Sequence, residues 1–248
     1  MTLAIIMLIS GVSSFIFALG GVGAAIILIP ILISLGIPVE TARPVGLFFN
    51  TISLIGATAH NLKNKKLVVK TGIPIIAFSF LFAIFGAYIS RFITSRLILL
   101  LFIMFLLFSS TMFLFHRVNS EDMYRNDNNT PYLKLSLIGA IAGTLSGMLG
   151  VGGGGIISPL MLSLKYHPKK IATITAFVVP FSSFSGFLTY WAMGSVDWSI
   201  LTAASSGGVI GAVLGTKFMH SKLDHKAVKK ILGGILMLMA IKLIYKVI

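Results

Sequence analysis

The chain has 248 residues, 56% of them hydrophobic and only 10% charged, and its mean hydropathy is +1.00. A water-soluble domain of this length does not carry that balance, so its solvent is a lipid bilayer. It has no cysteine, which excludes disulfides and thiolate metal sites, and its net charge of +14 is read as basic residues held beside membrane spans rather than as a nucleic-acid surface.

Apolar runs fall at 3–19, 22–35, 43–60, 70–91, 96–115, 133–149, 152–164, 171–192, 198–217 and 228–247. Several reach the ~20 residues that a spanning helix needs. The first run has no basic n-region and no small-residue cleavage site, so it does not read as a cleaved signal peptide. The runs predict helices throughout, and the polar stretch 116–132 reads as a solvated linker between two halves, 1–115 and 133–248.

Two boundaries between runs are glycine-rich. The first is Leu19-Gly20-Gly21-Val22-Gly23-Ala24-Ala25-Ile26-Ile27-Leu28-Ile29-Pro30. The second is Met148-Leu149-Gly150-Val151-Gly152-Gly153-Gly154-Gly155-Ile156-Ile157-Ser158-Pro159. They align without a gap: Gly21 on Gly150, Val22 on Val151, Gly23 on Gly152 and Pro30 on Pro159. Glycine in a helix interior costs about 1 kcal/mol relative to alanine, so such clusters break the helix. In lipid a broken backbone is tolerated only where protein or a water-filled cavity covers it, and paired breaks in two halves point to a transporter's binding site. Gly150 to Gly155 also satisfies GxGxxG, but Lys169 and Lys170 stand where a dinucleotide fold carries its acid, so that match is accidental.

The repeat continues beyond the breaks. With one residue inserted after the prolines, Ala42 aligns with Ala172, Ser53 with Ser183, Gly56 with Gly186 and His60 with Tyr190. Counting charges orients the halves. If each glycine break lay within one crossing, the halves would be parallel, with nine basic residues inside and eleven outside. If each break is the tip of a re-entrant hairpin, the halves are inverted. Fifteen basic residues then lie inside, and only Arg43, Arg91, Arg96, Lys242 and Lys246 lie outside. The positive-inside rule selects the second arrangement. The expected fold is therefore an all-α polytopic membrane protein of two inverted repeats, each a glycine-broken re-entrant hairpin plus three spanning helices.

In that arrangement the half-helices after the breaks begin near mid-membrane. Their unpaired N–H groups and positive dipole ends, at Gly21, Val22, Gly23 and Ala24 and at Val151, Gly152, Gly153 and Gly154, make an anion site without charged side chains. The competing reading is close helix packing, which the stripes Gly139-xxx-Gly143-xxx-Gly147 and Gly207-xxx-Gly211-xxx-Gly215 serve. Mid-span polar residues are further candidates for the substrate: Asn50, Thr51 and Ser53 in the first half, and Thr173, Thr175, Ser182, Ser183 and Ser185 in the second. The competing role for any one hydroxyl is a bond to its own helix. Pro180, which matches Asn50, should kink its helix and free backbone groups. Arg43 either contacts the substrate or snorkels to the interface. His60 is a proton-relay candidate or an interfacial histidine. Glu40 lies near a membrane edge, and Asp197 reads as a helix cap.

The glycine breaks with their following prolines, together with Ala172-Thr173-Ile174-Thr175-Ala176 ahead of the serine cluster, resemble the TauE/SafE family of sulfite exporters and toluene-sulfonate uptake permeases. The resemblance covers essentially the whole chain. It implies a multi-pass permease of the cell (inner) membrane that moves, and most simply exports, sulfite or a small organosulfur anion. Such a carrier would work by alternating access around a midplane site. The expected partners are that small sulfur-containing anion and the lipid bilayer, with a homodimer left open. No nucleic acid, cofactor or metal is expected. An anion channel and, more remotely, a membrane enzyme are the alternatives; the second would need acids and bases that the spans lack.

Overall fold

The structure, a computed structural model, describes residues 2–18, 23–63, 69–115, 131–219 and 225–247. Among these are ten α-helices and no strand. The first five are α1 (Thr2–Ala18), α2 (Ala25–Ser34), α3 (Val39–Lys63), α4 (Val69–Ile89, extended by a 3-10 turn over Ser90–Phe92) and α5 (Ser95–Phe115). The second five are α6 (Tyr132–Leu149), α7 (Gly154–Ser163), α8 (Pro168–Ala192), α9 (Trp198–Met219) and α10 (His225–Val247). Most of the linker, with Gly20, Gly21 and Val22 of the first glycine loop, lies outside the described residues, as does the His60 side chain.

Five described segments are long and apolar enough to cross a bilayer: Val69–Phe92, Ser95–Phe115, Tyr132–Leu149, Lys170–Ala192 and Trp198–Gly215. The apolar helices α2 and α7 have only ten residues each. At 1.5 Å per residue each covers about 15 Å, half of a ~30 Å hydrocarbon core. Large apolar side chains such as Leu8, Leu81, Met104, Leu133 and Leu238 point outward, as a protein dissolved in lipid requires. Polar side chains turn inward: Asn50, Ser109, Ser146, Thr175, Ser182 and Ser183 are fully buried.

Contacts between the helices fix their directions. Arg43 meets Tyr190, Leu47 meets Gly186, Phe48 meets Phe187 and Thr58 meets Ala176, so α3 and α8 run antiparallel. The glycine stripe of α6 lies on α4 in parallel. A Cβ on Gly139 or Gly143 would stand 2.6 or 2.5 Å from the carbonyl oxygens of Ile75 and Ser79. Gly207 and Gly211 of α9 sit as closely on the carbonyls of Met7 and Gly11 of α1, again in parallel. Missing side chains let these backbones touch, which is how helices associate where lipid removes a hydrophobic drive between them. Exchanging the first five helices for the last five reproduces the packing, since α4 on α6 becomes α9 on α1 while α3 with α8 and α5 with α10 map onto themselves.

Candidate substrate site

Gly23 and Gly152, one from each glycine-rich break, meet Asn50 in the middle of α3. Gly23 adopts φ +90°, and Gly150, Gly152 and Gly153 adopt +82°, +78° and +65°. These are left-handed conformations that a side chain strains. Space forbids a side chain as well. A Cβ on Gly23 would stand 2.9 Å from Asn50 Oδ1, and one on Gly152 would stand 2.7 Å from Ser183 Oγ and press on Asn50 Nδ2. The glycines bring backbone, rather than side chains, against α3 and α8.

Asn50 joins the two loops. It is fully buried. The Ala25 N–H, at the start of α2, donates to Asn50 Oδ1 at 3.0 Å, and Asn50 Nδ2 donates to the Val151 carbonyl at 2.8 Å. Each such bond contributes about 0.5–1.5 kcal/mol net, and losing one partner strands a buried polar group at about 1–3 kcal/mol. Pro180 occupies the matching position in α8 and can do neither. It also lacks the N–H that would bond the Ala176 carbonyl one turn back. Thr58 of α3 fills that gap, its hydroxyl donating to the Ala176 carbonyl at 2.7 Å. Pro159 in α7 likewise frees the Gly155 carbonyl, which accepts from Ser109 of α5 at 3.2 Å. Hydroxyls of the first half therefore repair proline breaks in the second.

The hydroxyls near the loops divide by partner. Ser53 donates to the Asn50 carbonyl at 3.3 Å and Ser182 to the Val179 carbonyl at 3.1 Å, both within their own helices. Ser185 reaches the Phe80 carbonyl of α4 at 2.9 Å. Thr175 faces Ser158 of α7 at 3.5 Å, away from the loop, and Thr173 is half-buried nearby on α8. The hydroxyls of Ser146, Ser183 and Ser205 are buried without any partner. A cavity of about 10 Å³, lined by Ser14, Phe17, Gly23, Ala24, Ser53, Leu54 and Ala212, lies beside the start of α2. It has room for a single water.

Arg43 lies two turns before Asn50 and is buried at 4% exposure. Its Nε donates to the Val39 carbonyl at 3.3 Å and its NH1 to the Met148 carbonyl at 3.2 Å. Tyr190 donates to the Gly147 carbonyl at 3.0 Å and shares a 2.8 Å hydrogen bond with Ser90. Gly147 and Met148 belong to the last turn of α6, where carbonyls lack helical partners and the dipole is negative. The helix end and the Tyr190 ring accommodate the buried cation there. At the same end of the bundle the exposed Glu40 accepts a hydrogen bond from Ser95. Asp197 caps α9 through the N–H groups of Ser199 and Ile200, as its position before Trp198 predicts.

The structure thus brings Gly23, Ala24, Asn50, Val151, Gly152, Gly153 and Ser183 together, with Gly154 opening α7. The Thr175 hydroxyl faces Ser158, and the Ser182 hydroxyl bonds the Val179 carbonyl of its own helix. Sequence reasoning missed Ser146 and Tyr190. Ser146 stands four residues before Gly150, whose N–H bonds the Ser146 carbonyl at 2.8 Å, and that spacing was the available signal. No group of three or more metal-ligating side chains occurs among the described residues.

The family model described as "Sulfite exporter TauE/SafE" matches residues 6–243. "Probable membrane transporter protein MJ0441" of Methanocaldococcus jannaschii is 27% identical over 96% of this chain and 94% of its own length. "Probable membrane transporter protein YunE" of Bacillus subtilis is 24% identical over 99% of this chain and 98% of its own. "Sulfite exporter TauE/SafE family protein 6" of Arabidopsis thaliana is 29% identical over 44% of this chain and 25% of its own. No solved structure matches. The match over nearly the whole chain, with spans that the helices bear out, makes this a multi-pass membrane transporter belonging to the TauE/SafE family.

Proposed function

We propose that this transporter carries sulfite or a small organosulfur anion out of the cell across the inner membrane, by alternating access around the two glycine loops. The repeats 1–115 and 133–248 are inverted, and the hairpins α1–α2 and α6–α7 re-enter the side they came from. The antiparallel register of α3 with α8, and the exchange symmetry of the packing, support that reading. So does the charge asymmetry of the loops.

The observation that carries the functional reading is the convergence on Asn50. Two helix starts and a buried amide meet there, and neither lysine, arginine nor carboxylate is among the groups that join them. Helix starts favour negative charge, so an anion is the ligand this arrangement suits. The family name supplies sulfite. Rocking one repeat against the other would open the loops alternately to each side.

Purified protein in proteoliposomes tests this. Sulfite efflux should saturate and be accelerated by sulfite on the opposite side, as a carrier requires and a channel does not. Gly153→Leu should abolish it in protein that still inserts, because Gly153 holds φ +65° and its Cβ would stand 3.1 Å from the Ala142 carbonyl. Absence of flux for sulfite, sulfate, thiosulfate and organosulfonates alike would remove the reading.

A further inference from the structure

We infer that the two glycine loops are not equivalent: the anion binds at the start of α7, with Ser183 as its side-chain donor, while Asn50 occupies the matching place at α2. This rests on the transport reading above and names the donor set within it. At α2 the Ala25 N–H is already taken by Asn50 Oδ1. At α7 the equivalent side chain is Pro180, which offers nothing, and no side chain caps the helix. The N–H groups themselves do not set the two starts apart. The Gly154 N–H, which matches that of Ala25, bonds the Gly152 carbonyl at 2.7 Å, and among the described residues no acceptor meets the N–H groups of Gly152, Gly153 or Gly155. What differs is the side chain that reaches each start.

The second observation is independent of the helix end. Ser183 is 0% exposed and its hydroxyl has no partner, although it stands only 2.7 Å from where a Gly152 Cβ would be. Its counterpart Ser53 is already bonded to the Asn50 carbonyl. Ser146 is a second orphan. It lies one turn after Ala142, the α6 residue that touches Gly153, and so on the face turned to the loop. The large majority of buried hydroxyls have a hydrogen-bond partner, and an unpaired one calls for an explanation such as a water, an ion or a ligand. The two orphans therefore border the helix start that lacks a cap.

The donors available are all neutral: three N–H groups and two hydroxyls. Such a set recognises a compact oxyanion through its oxygens, and the –SO3 end of sulfite or an alkanesulfonate presents three. Binding needs the loop to move away from Ser183, since these groups are in contact here.

The test uses full-length purified protein and titrates sodium sulfite, methanesulfonate and inorganic phosphate by calorimetry. Ser183→Ala should weaken sulfite at least about ten-fold, and Ser53→Ala should leave it within about two-fold. The ligand-free Ser183→Ala protein should unfold no earlier than wild type, because the hydroxyl it removes is unpaired, yet gain less stability from added sulfite. Equal weakening by both variants, or a larger effect at Ser53, overturns the inequivalence while leaving the transport reading intact. Wild-type protein that binds none of the three anions overturns both.

Discussion

The Arg43 guanidinium carbon lies 5.2 Å from the centre of the Tyr190 ring, and both side chains end on carbonyls of the last turn of α6. A cation over an aromatic face gains most when both are shielded from water. Both residues are buried, at 4% and 2% exposure. The pair fastens the end of α6 to the start of α3 and the end of α8.

Removing either half of the clasp should therefore loosen the fold before it changes the site. Tyr190→Phe leaves the Gly147 carbonyl and the Ser90 hydroxyl short of a partner, and should lower stability by about 1–3 kcal/mol. Arg43→Gln removes a charge-assisted bond to the Met148 carbonyl, worth about 1.5–3 kcal/mol. Thermal unfolding of the purified variants checks both. Sulfite affinity that falls in Arg43→Gln with unchanged stability would instead make Arg43 a substrate ligand.

A second expectation concerns the proline repair. Thr58→Val should strand the Ala176 carbonyl that Pro180 cannot bond, at about 1–3 kcal/mol. In a Pro180→Ala background α8 has its own N–H for that carbonyl, so the same substitution should cost less. A double-mutant cycle with an interaction energy near zero would show that Thr58 and the proline break are not linked.

The breaks, the prolines, the helix positions and the pairing of Asn50 with Pro180 were legible in the sequence because each follows from local chemistry. Glycine clusters break helices, proline removes an N–H, and apolar runs mark spans. Matching the halves in sequence also placed Ser183 opposite Ser53. It could not show what crosses between the halves. Alignment sets Arg43 against Thr173, whereas the antiparallel contact of α3 with α8 sets it against Tyr190. Nor could it show that Arg43 is buried. A residue at the start of an apolar run reads equally as snorkelling until the end of α6 is known to lie beside it. Ser146 was hidden for a similar reason: in a stripe of glycines its hydroxyl looks like one more small residue for packing.

Topology is the third prediction. The chain has no native cysteine, so single-cysteine labelling carries no background. Cysteines at Asn126, Lys170 and Lys226 should react from the cytoplasm, and one at Ser195 only from outside. Labelling of Asn126 and Lys170 from opposite faces would eliminate the re-entrant α6–α7 hairpin, since those positions bracket it.

The last prediction turns on the charge at position 50. Asn50→Asp keeps an acceptor for the Ala25 N–H but sets a carboxylate oxygen against the Val151 carbonyl. It also places a fixed negative charge where both helix starts converge. Helix starts stabilise such a charge by about 0.3–1 kcal/mol at exposed sites and up to ~2 kcal/mol when partly buried. That gain is smaller than the cost of burying a carboxylate and stranding the Val151 carbonyl, so the variant should unfold earlier than wild type. The same charge would stand beside the Val151–Gly154 loop, where Asn50 Nδ2 meets the Val151 carbonyl. Sulfite efflux and binding should fall below detection, because the carboxylate repels an anion that approaches the start of α7. Asn50→Ala separates the two effects. It strands the Ala25 N–H and the Val151 carbonyl, each at about 1–3 kcal/mol, and should unfold earlier while retaining measurable sulfite binding. Wild-type efflux by Asn50→Asp would mean that the transported anion never meets the field of these helix ends, and the site would have to be sought elsewhere in the bundle.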